Sequence, residues 1–155
     1  MSQNGPIAPS NPVPVHIWPL DVRGHRFELG LLLDCSVEDI RAAAKQRLAQ
    51  GPGSGKWSYD FCTGALRWSD EVYDIFGVPR GTPITRAEAL TYYSPRSRPL
   101  MERIRSEAIK QKKAFVIDAE MRPGHGTAGH WMRLIGAPVV EYGDVVSLEG
   151  FKQRI

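Results

Sequence analysis

The sequence predicts an α+β domain: a five-stranded antiparallel sheet with short helices over one face, preceded by a helical extension. Three observations carry this. Apolar residues recur with a period of two after Lys56 and again from Ala114 onward, as strands require. Between those regions the pattern changes to helix starts at Ser69 and Thr85 and a longer helix closing on lysines. Glycine and proline turns separate the pieces. A chain of 155 residues, 42% hydrophobic and 24% charged, has the make-up of one ordinary domain with an extension.

Residues 1–35 read as an extension. The first fourteen are rich in Pro, Asn, Ser and Gly and offer too little apolar surface to offset ordering entropy, so a disordered arm is expected. Two apolar stretches around Arg23-Gly24-His25 then suggest a loose hairpin. Residues 36–52 form a helix and linker. Ser36 is its N-cap, Asp39 stands three residues on, and Gly51 follows its end. Val37, Ile40, Ala44 and Leu48 make a narrow apolar stripe, suited to a sheet edge or to the same helix of a second copy. The following GPGSGK imitates a phosphate-binding loop, but Gln50 stands where the first glycine is needed and Trp57 where Ser or Thr is needed. It reads as a linker.

Residues 53–155 make the domain. Trp57, Tyr59 and Phe61 alternate with Ser58 and Asp60, Thr63-Gly64 reverses the chain, and Leu66 and Trp68 return. Ser69 caps DEVYDIF, with acids in its first turn and Gly77 as its stop. Thr85 and Glu88 form a capping box for a helix carrying Ala89, Leu90 and Tyr93. Pro99 would break a helix begun at Ser94-Pro95, so a turn over residues 95–98 is expected, then a helix with Leu100, Met101, Ile104 and Ala108 inward. Three strands finish the chain. In the first, Phe115, Ile117, Ala119 and Met121 oppose Val116, Asp118, Glu120 and Arg122, and the polar face reads as solvated.

No apolar run approaches the roughly 20 residues that span a bilayer, and the N-terminus lacks a secretory pattern, so a cytoplasmic location is expected. Cys35 and Cys62 then read as free thiols. The net charge of +3 is spread among acids and speaks to solubility rather than to a site.

From Gly55 to Ile155 the residues resemble a PAS sensor domain of the PAS-3 type. Its opening pattern appears as Gly55, Trp57, Asp60, Thr63-Gly64, Trp68, Ser69 and Asp70, and its I-x-G as Ile75-Phe76-Gly77. Tyr93 to Arg98 stands for its h-P-e-D-R stretch with the acids lost, Phe115 to Arg122 for f-x-x-e-x-R, and His130-Trp131 through Gly136 and Pro138 for the next strand. The resemblance implies a sensory module that signals by conformational change and dimerisation, without catalysis. Its pocket would take a small apolar or aromatic ligand. Candidate walls are Trp57, Phe61, Trp68, Ile75, Phe76, Leu90, Tyr93, Met101, Ile104, Phe115, Ile117, Trp131 and Leu134, each of which serves equally as plain core. The helix from Ser36 resembles the cap helix by which many such domains pair, so a homodimer is expected, with a signalling protein as a further partner.

Flavin-binding relatives use a cysteine after the first short helix, and haem-binding ones a histidine in the cover helices. Neither occurs between Ser69 and Lys113, so neither cofactor is expected. His125 and His130 lie in or beside a glycine-rich turn and read as solvated, and no metal-ligand spacing is evident. Two other readings stay open: an NTF2-like binding or isomerase cone, which would need a buried acid or histidine, and a weak nucleic-acid module. Arg98, Arg103, Arg105, Lys110, Lys112 and Lys113 make a basic series for the latter, but without stacking aromatics between them. The ending Gly150 to Ile155 departs from the family's Asp-Ile-Thr, and it suits either a stand-alone regulator or a piece of a longer sensor.

Overall fold

The computed structural model describes residues 26–48, 53–122 and 128–155. The expected arm and the hairpin around Arg23-Gly24-His25, most of the linker before Gly53, and the turn holding His125 lie outside them. The elements are β1 (Leu31–Leu33), α1 (Val37–Leu48), β2 (Ser54–Asp60), β3 (Leu66–Trp68), α2 (Asp70–Phe76), α3 (Arg86–Leu90), α4 (Ser97–Gln111), β4 (Ala114–Met121), β5 (His130–Glu141) and β6 (Asp144–Arg154). They build one antiparallel sheet in the order β1-β4-β5-β6-β2-β3, six strands where five were expected. The extra strand is Leu31–Leu33, which pairs with the edge of β4.

Local signals read from the sequence have physical counterparts. Ser36 and Asp39 cap α1 reciprocally, the Ser36 Oγ accepting from Asp39 N at 3.1 Å and the carboxylate from Ser36 N at 3.0 Å. Thr85 and Glu88 do the same for α3. Gly77 ends α2 in the left-handed region at φ 67°, where a side chain would be strained. Ser69 precedes α2 as expected, but its hydroxyl accepts from Lys56 N instead of capping the helix. The start of α4 differs from expectation. The helix begins at Ser97, two residues before Pro99, because the first turn of a helix has no intrahelical use for the missing N–H. Ser94 supports that turn, its hydroxyl accepting from Ser97 N at 3.1 Å and its carbonyl from Arg98 N at 3.0 Å.

The sheet is covered on both faces, against the single cover expected. Beneath α2, α3 and α4 the inner face presents Trp57, Phe115, Ile117, Ala119, Met121, Met132, Leu134 and Leu148. On the outer face α1 buries Val37, Ile40 and Ala43 against Ala114, Val116, Ile135, Ala137 and Phe151. Burying a side chain such as Ile40 contributes roughly 1.5–3 kcal/mol, which seats α1 on its own sheet. Arg41 adds a paired contact to Glu149 of β6 at 2.7 and 2.9 Å. Val37 and Ile40 are therefore already covered within the chain. The side chains of Ala44 and Leu48 lie outside the description.

The outer face of β4 also corrects an expectation. Asp118, read as solvated, is buried and bound through both oxygens to Arg133 at 2.7 and 2.8 Å. Phe27 covers the pair, donating its N–H to Asp118 Oδ2 at 2.8 Å and accepting from Asp118 N at 2.9 Å.

Close backbone approach on the inner face depends on glycine. Gly136 of β5 and Gly150 of β6 stand opposite each other, and the rings of Trp57 and Phe115 occupy the space a side chain at Gly136 would fill. A methyl at Gly150 would lie 1.9 Å from the Ile135 carbonyl oxygen. Because the obstacle is backbone, Gly150→Ala is expected to cost about 3 kcal/mol or more, read by urea unfolding; a loss under about 1 kcal/mol would contradict this packing.

Candidate functional site

Where the helical cover meets the inner face, the strands and helices leave a cleft of about 40 Å³. Trp57 and Tyr59 of β2, Leu66 of β3, Phe115 of β4 and Leu134 of β5 form its floor; Arg86, Ala89, Leu90 and Tyr93 come from α3 and its exit, and Met101 and Arg105 from α4. Lys152 of β6 completes it. Register explains that lysine's position. Leu148 and Gly150 precede it at intervals of two and pair with the inner-face residues Tyr59, Trp57 and Gly136, so period two turns Lys152 inward as well.

The Lys152 ammonium is enclosed by rings. Its Nζ lies 4.5 Å from the Phe76 ring centre, 5.4 Å from Trp57, 5.6 Å from Trp68 and 5.9 Å from Tyr93, and it donates to the Tyr93 hydroxyl at 3.4 Å. Among the described residues no carboxylate pairs with it. Burial, aided by the nearby Arg86 charge, lowers its pKa to about 7. Burial also raises the Tyr93 phenol well above its ordinary range, so that group keeps its proton. Arg86 is engaged by Glu102 of α4, an ion pair that ties α3 to α4 beside the cleft. Arg105, read from sequence as part of a solvated basic face, is instead half-buried, over the rings of Tyr59 at 5.4 Å and Phe61 at 5.5 Å. Burial lowers its pKa, and Arg86 adds to that.

Of the residues singled out from sequence, Trp57, Leu90, Tyr93, Met101, Phe115 and Leu134 line the cleft. Ile75, Phe76, Ile104 and Ile117 lie in the core around it, and Trp68 packs against that core with its ring stacked 4.3 Å from Phe76. Phe61 does not form a wall. It lies beyond the end of β2, 38% exposed, in edge contact with Tyr59. Trp131 is on the opposite face, since Met132 and Leu134 point inward, and the Arg26 guanidinium rests 4.0 Å over its ring. His130, read as solvated, is buried, and that burial lowers its pKa. Tyr59, Leu66, Arg86, Ala89, Arg105 and Lys152 were missing from the sequence reading of the cleft. A lysine two and four residues after Gly150 and Leu148, at the inward interval of the final strand, was the signal for Lys152.

Sites for drug-sized or cofactor-sized molecules occupy roughly 300–1,000 Å³, several times the space between these side chains. Neither thiol lines the cleft: Cys62 is exposed in the turn after β2, and Cys35 precedes α1, its pKa raised by burial to about 11. Among the described residues no three His, Cys, Asp or Glu side chains gather as a metal site.

No family model and no curated protein matches the chain by sequence. Solved structures do match by shape. A sensory box histidine kinase/response regulator from Burkholderia thailandensis superimposes with a TM-score of 0.60 at 17% identity, over 72% of this chain and 84% of that one. The N-terminal domain of a diguanylate cyclase with a PAS/PAC sensor from Marinobacter aquaeolei gives 0.58 at 16% identity, over 65% and 94%. An RNA-binding light-oxygen-voltage receptor also gives 0.58 at 16% identity, but this chain covers only 29% of it. The fold is that of a PAS domain. β1 extends this sheet at the β4 edge, and α1 lies on its outer face. No helix among the described residues is long and apolar enough to cross a membrane.

Proposed function

We propose that this PAS domain is a sensory or regulatory module that holds a small molecule in the Lys152 cleft and reports it by a change of shape. One observation carries the reading: a lysine wholly buried among aromatic rings, with no carboxylate beside it among the described residues. Such a group costs stability, and a fold that keeps one at the seam between cover and sheet has a use for it other than packing. A molecule that engages Lys152 touches α3, α4 and the sheet together, so binding alters how the cover sits. Sensor proteins among the structures of similar shape support the same reading.

The output is a change of contacts, with a second copy of the chain or with a signalling protein. Because Val37 and Ile40 are covered by the chain's own sheet, a homodimer would use another surface. The module is not an enzyme. It carries neither flavin nor haem, which the size and donor set of the cleft do not suit. Nucleic-acid binding is disfavoured because Arg105 faces the cleft instead of extending a basic surface. Native mass spectrometry and an absorption spectrum of freshly purified protein, followed by thermal shift and light scattering with a panel of small molecules, test this. A retained or stabilising small molecule with altered assembly is expected. A visible chromophore band, or no response to any compound, would overturn the reading.

A further inference from the structure

We propose that Lys152 is a nucleophilic amine that captures a small aldehyde or ketone as an imine. This deepens the ligand-sensing reading of the same cleft and rests on it. Its basis is placement. Lys152 lines the cleft while buried, together with an apolar floor of Trp57, Phe115 and Leu134, and its Nζ donates to the hydroxyl of Tyr93. An ammonium has three N–H groups to satisfy, and here the hydroxyl of Tyr93 at 3.4 Å is the hydrogen-bond partner while the surrounding faces are aromatic. Lysine becomes a carbonyl nucleophile when it is desolvated in an apolar pocket or set beside another cation, and both conditions hold. The ionisable groups sharing the cleft are Tyr59 from β2, Arg86 from α3, Tyr93 from the exit of α3 and Arg105 from α4, while Glu102 is engaged with Arg86. None supplies a negative charge that would hold the amine protonated. With its pKa lowered to about 7, about half of the amine carries a free lone pair at neutrality.

The chemistry balances without an oxidant or reductant. The neutral amine adds to the carbonyl carbon, the C=O π pair moves to oxygen, and one proton passes from nitrogen to that oxygen to give a carbinolamine. Tyr93 O–H then protonates the hydroxyl, the C–O bond breaks and water leaves. The second nitrogen proton returns to Tyr93, leaving C=N and one water per carbonyl captured. A cleft of about 40 Å³ restricts the partner to a few heavy atoms, a short-chain aldehyde or small ketone. The step is stoichiometric capture, in keeping with a sensor.

The test is competitive trapping in the folded chain. Propanal with cyanoborohydride at pH 7 reduces any imine to a stable propyl-lysine, and peptide mapping compares Lys152 with Lys45, Lys56, Lys110, Lys112 and Lys113. The neutral fraction at Lys152 is roughly a thousandfold that of an ordinary lysine, so after allowance for burial and lower basicity at least tenfold preferential labelling is expected. Unfolding in urea should erase the preference, and Tyr93→Phe should slow labelling of Lys152 without changing the other lysines. Labelling of Lys152 at or below the level of the others in the folded chain overturns the proposal. If that happens while the chain still responds to compounds that lack a carbonyl, imine capture fails and the sensing reading survives. If the chain responds to no compound at all, both fall.

Discussion

Lys152→Met is expected to stabilise the chain at pH 7 and to flatten its pH dependence up to about pH 9. The sign follows from the shift. The native amine has a pKa of about 7 against the ordinary value of 10.5, so between those values the unfolded chain binds more protons than the native one. Native stability then rises with pH through that window, and below about pH 7 the full penalty of burying the charge is present. From pH 7 to pH 9 the wild-type chain should gain roughly 2 kcal/mol through this residue, or about 6 °C in Tm for a chain of this size. Above pH 9 two groups act in the opposite sense, since burial raises both Cys35 and Tyr93 and their stabilisation is lost as pH climbs. The comparison therefore belongs below that point. Methionine fills similar volume among Trp57, Phe76 and Tyr93 without a charge to desolvate. Parallel pH profiles for the two chains, measured by chemical denaturation, would show that Lys152 is not held as described.

Asp118→Ala is the second large effect, and it runs the other way. The side chains of Asp118 and Arg133 are 0% and 3% exposed, joined by two hydrogen bonds on the outer face of β4 and β5. Removing Asp118 takes from the buried Arg133 the carboxylate that it binds through two hydrogen bonds, and a loss of about 3–5 kcal/mol is expected. The Phe27 N–H loses its acceptor at the same time, which weakens the segment leading into β1. Urea unfolding measures the loss. The double replacement Asp118→Leu with Arg133→Met should recover most of it, because two apolar side chains leave no stranded charge. A loss below about 1 kcal/mol in the single variant would mean that the pair is solvated in solution, as its place on a polar strand face first suggested.

The sequence displayed a good deal of the fold through local chemistry. Thr85 with Glu88 and Ser36 with Asp39 place helix starts within four residues of chain, and Gly77 places a stop, because caps satisfy backbone groups that lie close in sequence. The candidate site was legible where a residue's inward direction followed from its own element, as for Leu90 and Met101. It was misread where direction depended on a remote partner. Both alternating sets of β5 carry apolar residues, Trp131, Ile135 and Ala137 in one and Met132 and Leu134 in the other, so period two could not say which face was the inner one. Arg105 looked like one of several helix-surface cations until Tyr59 and Phe61, from the β2 hairpin, came beneath it.

The alternation of the last three strands, the stop at Gly77 and the caps of α1 and α3 were settled by the amino-acid order alone, since each is governed by atoms a few residues apart. Tertiary structure alone decided that α1 lies on the sheet's own outer face, that Phe27 closes over Asp118 and Arg133, and that Lys152 ends inside a ring of aromatics. Those outcomes join residues dozens of positions apart, and their energy is desolvation. A charged side chain reads the same in a sequence whether water or benzene rings surround it, and only the folded packing makes one the solvent of the other.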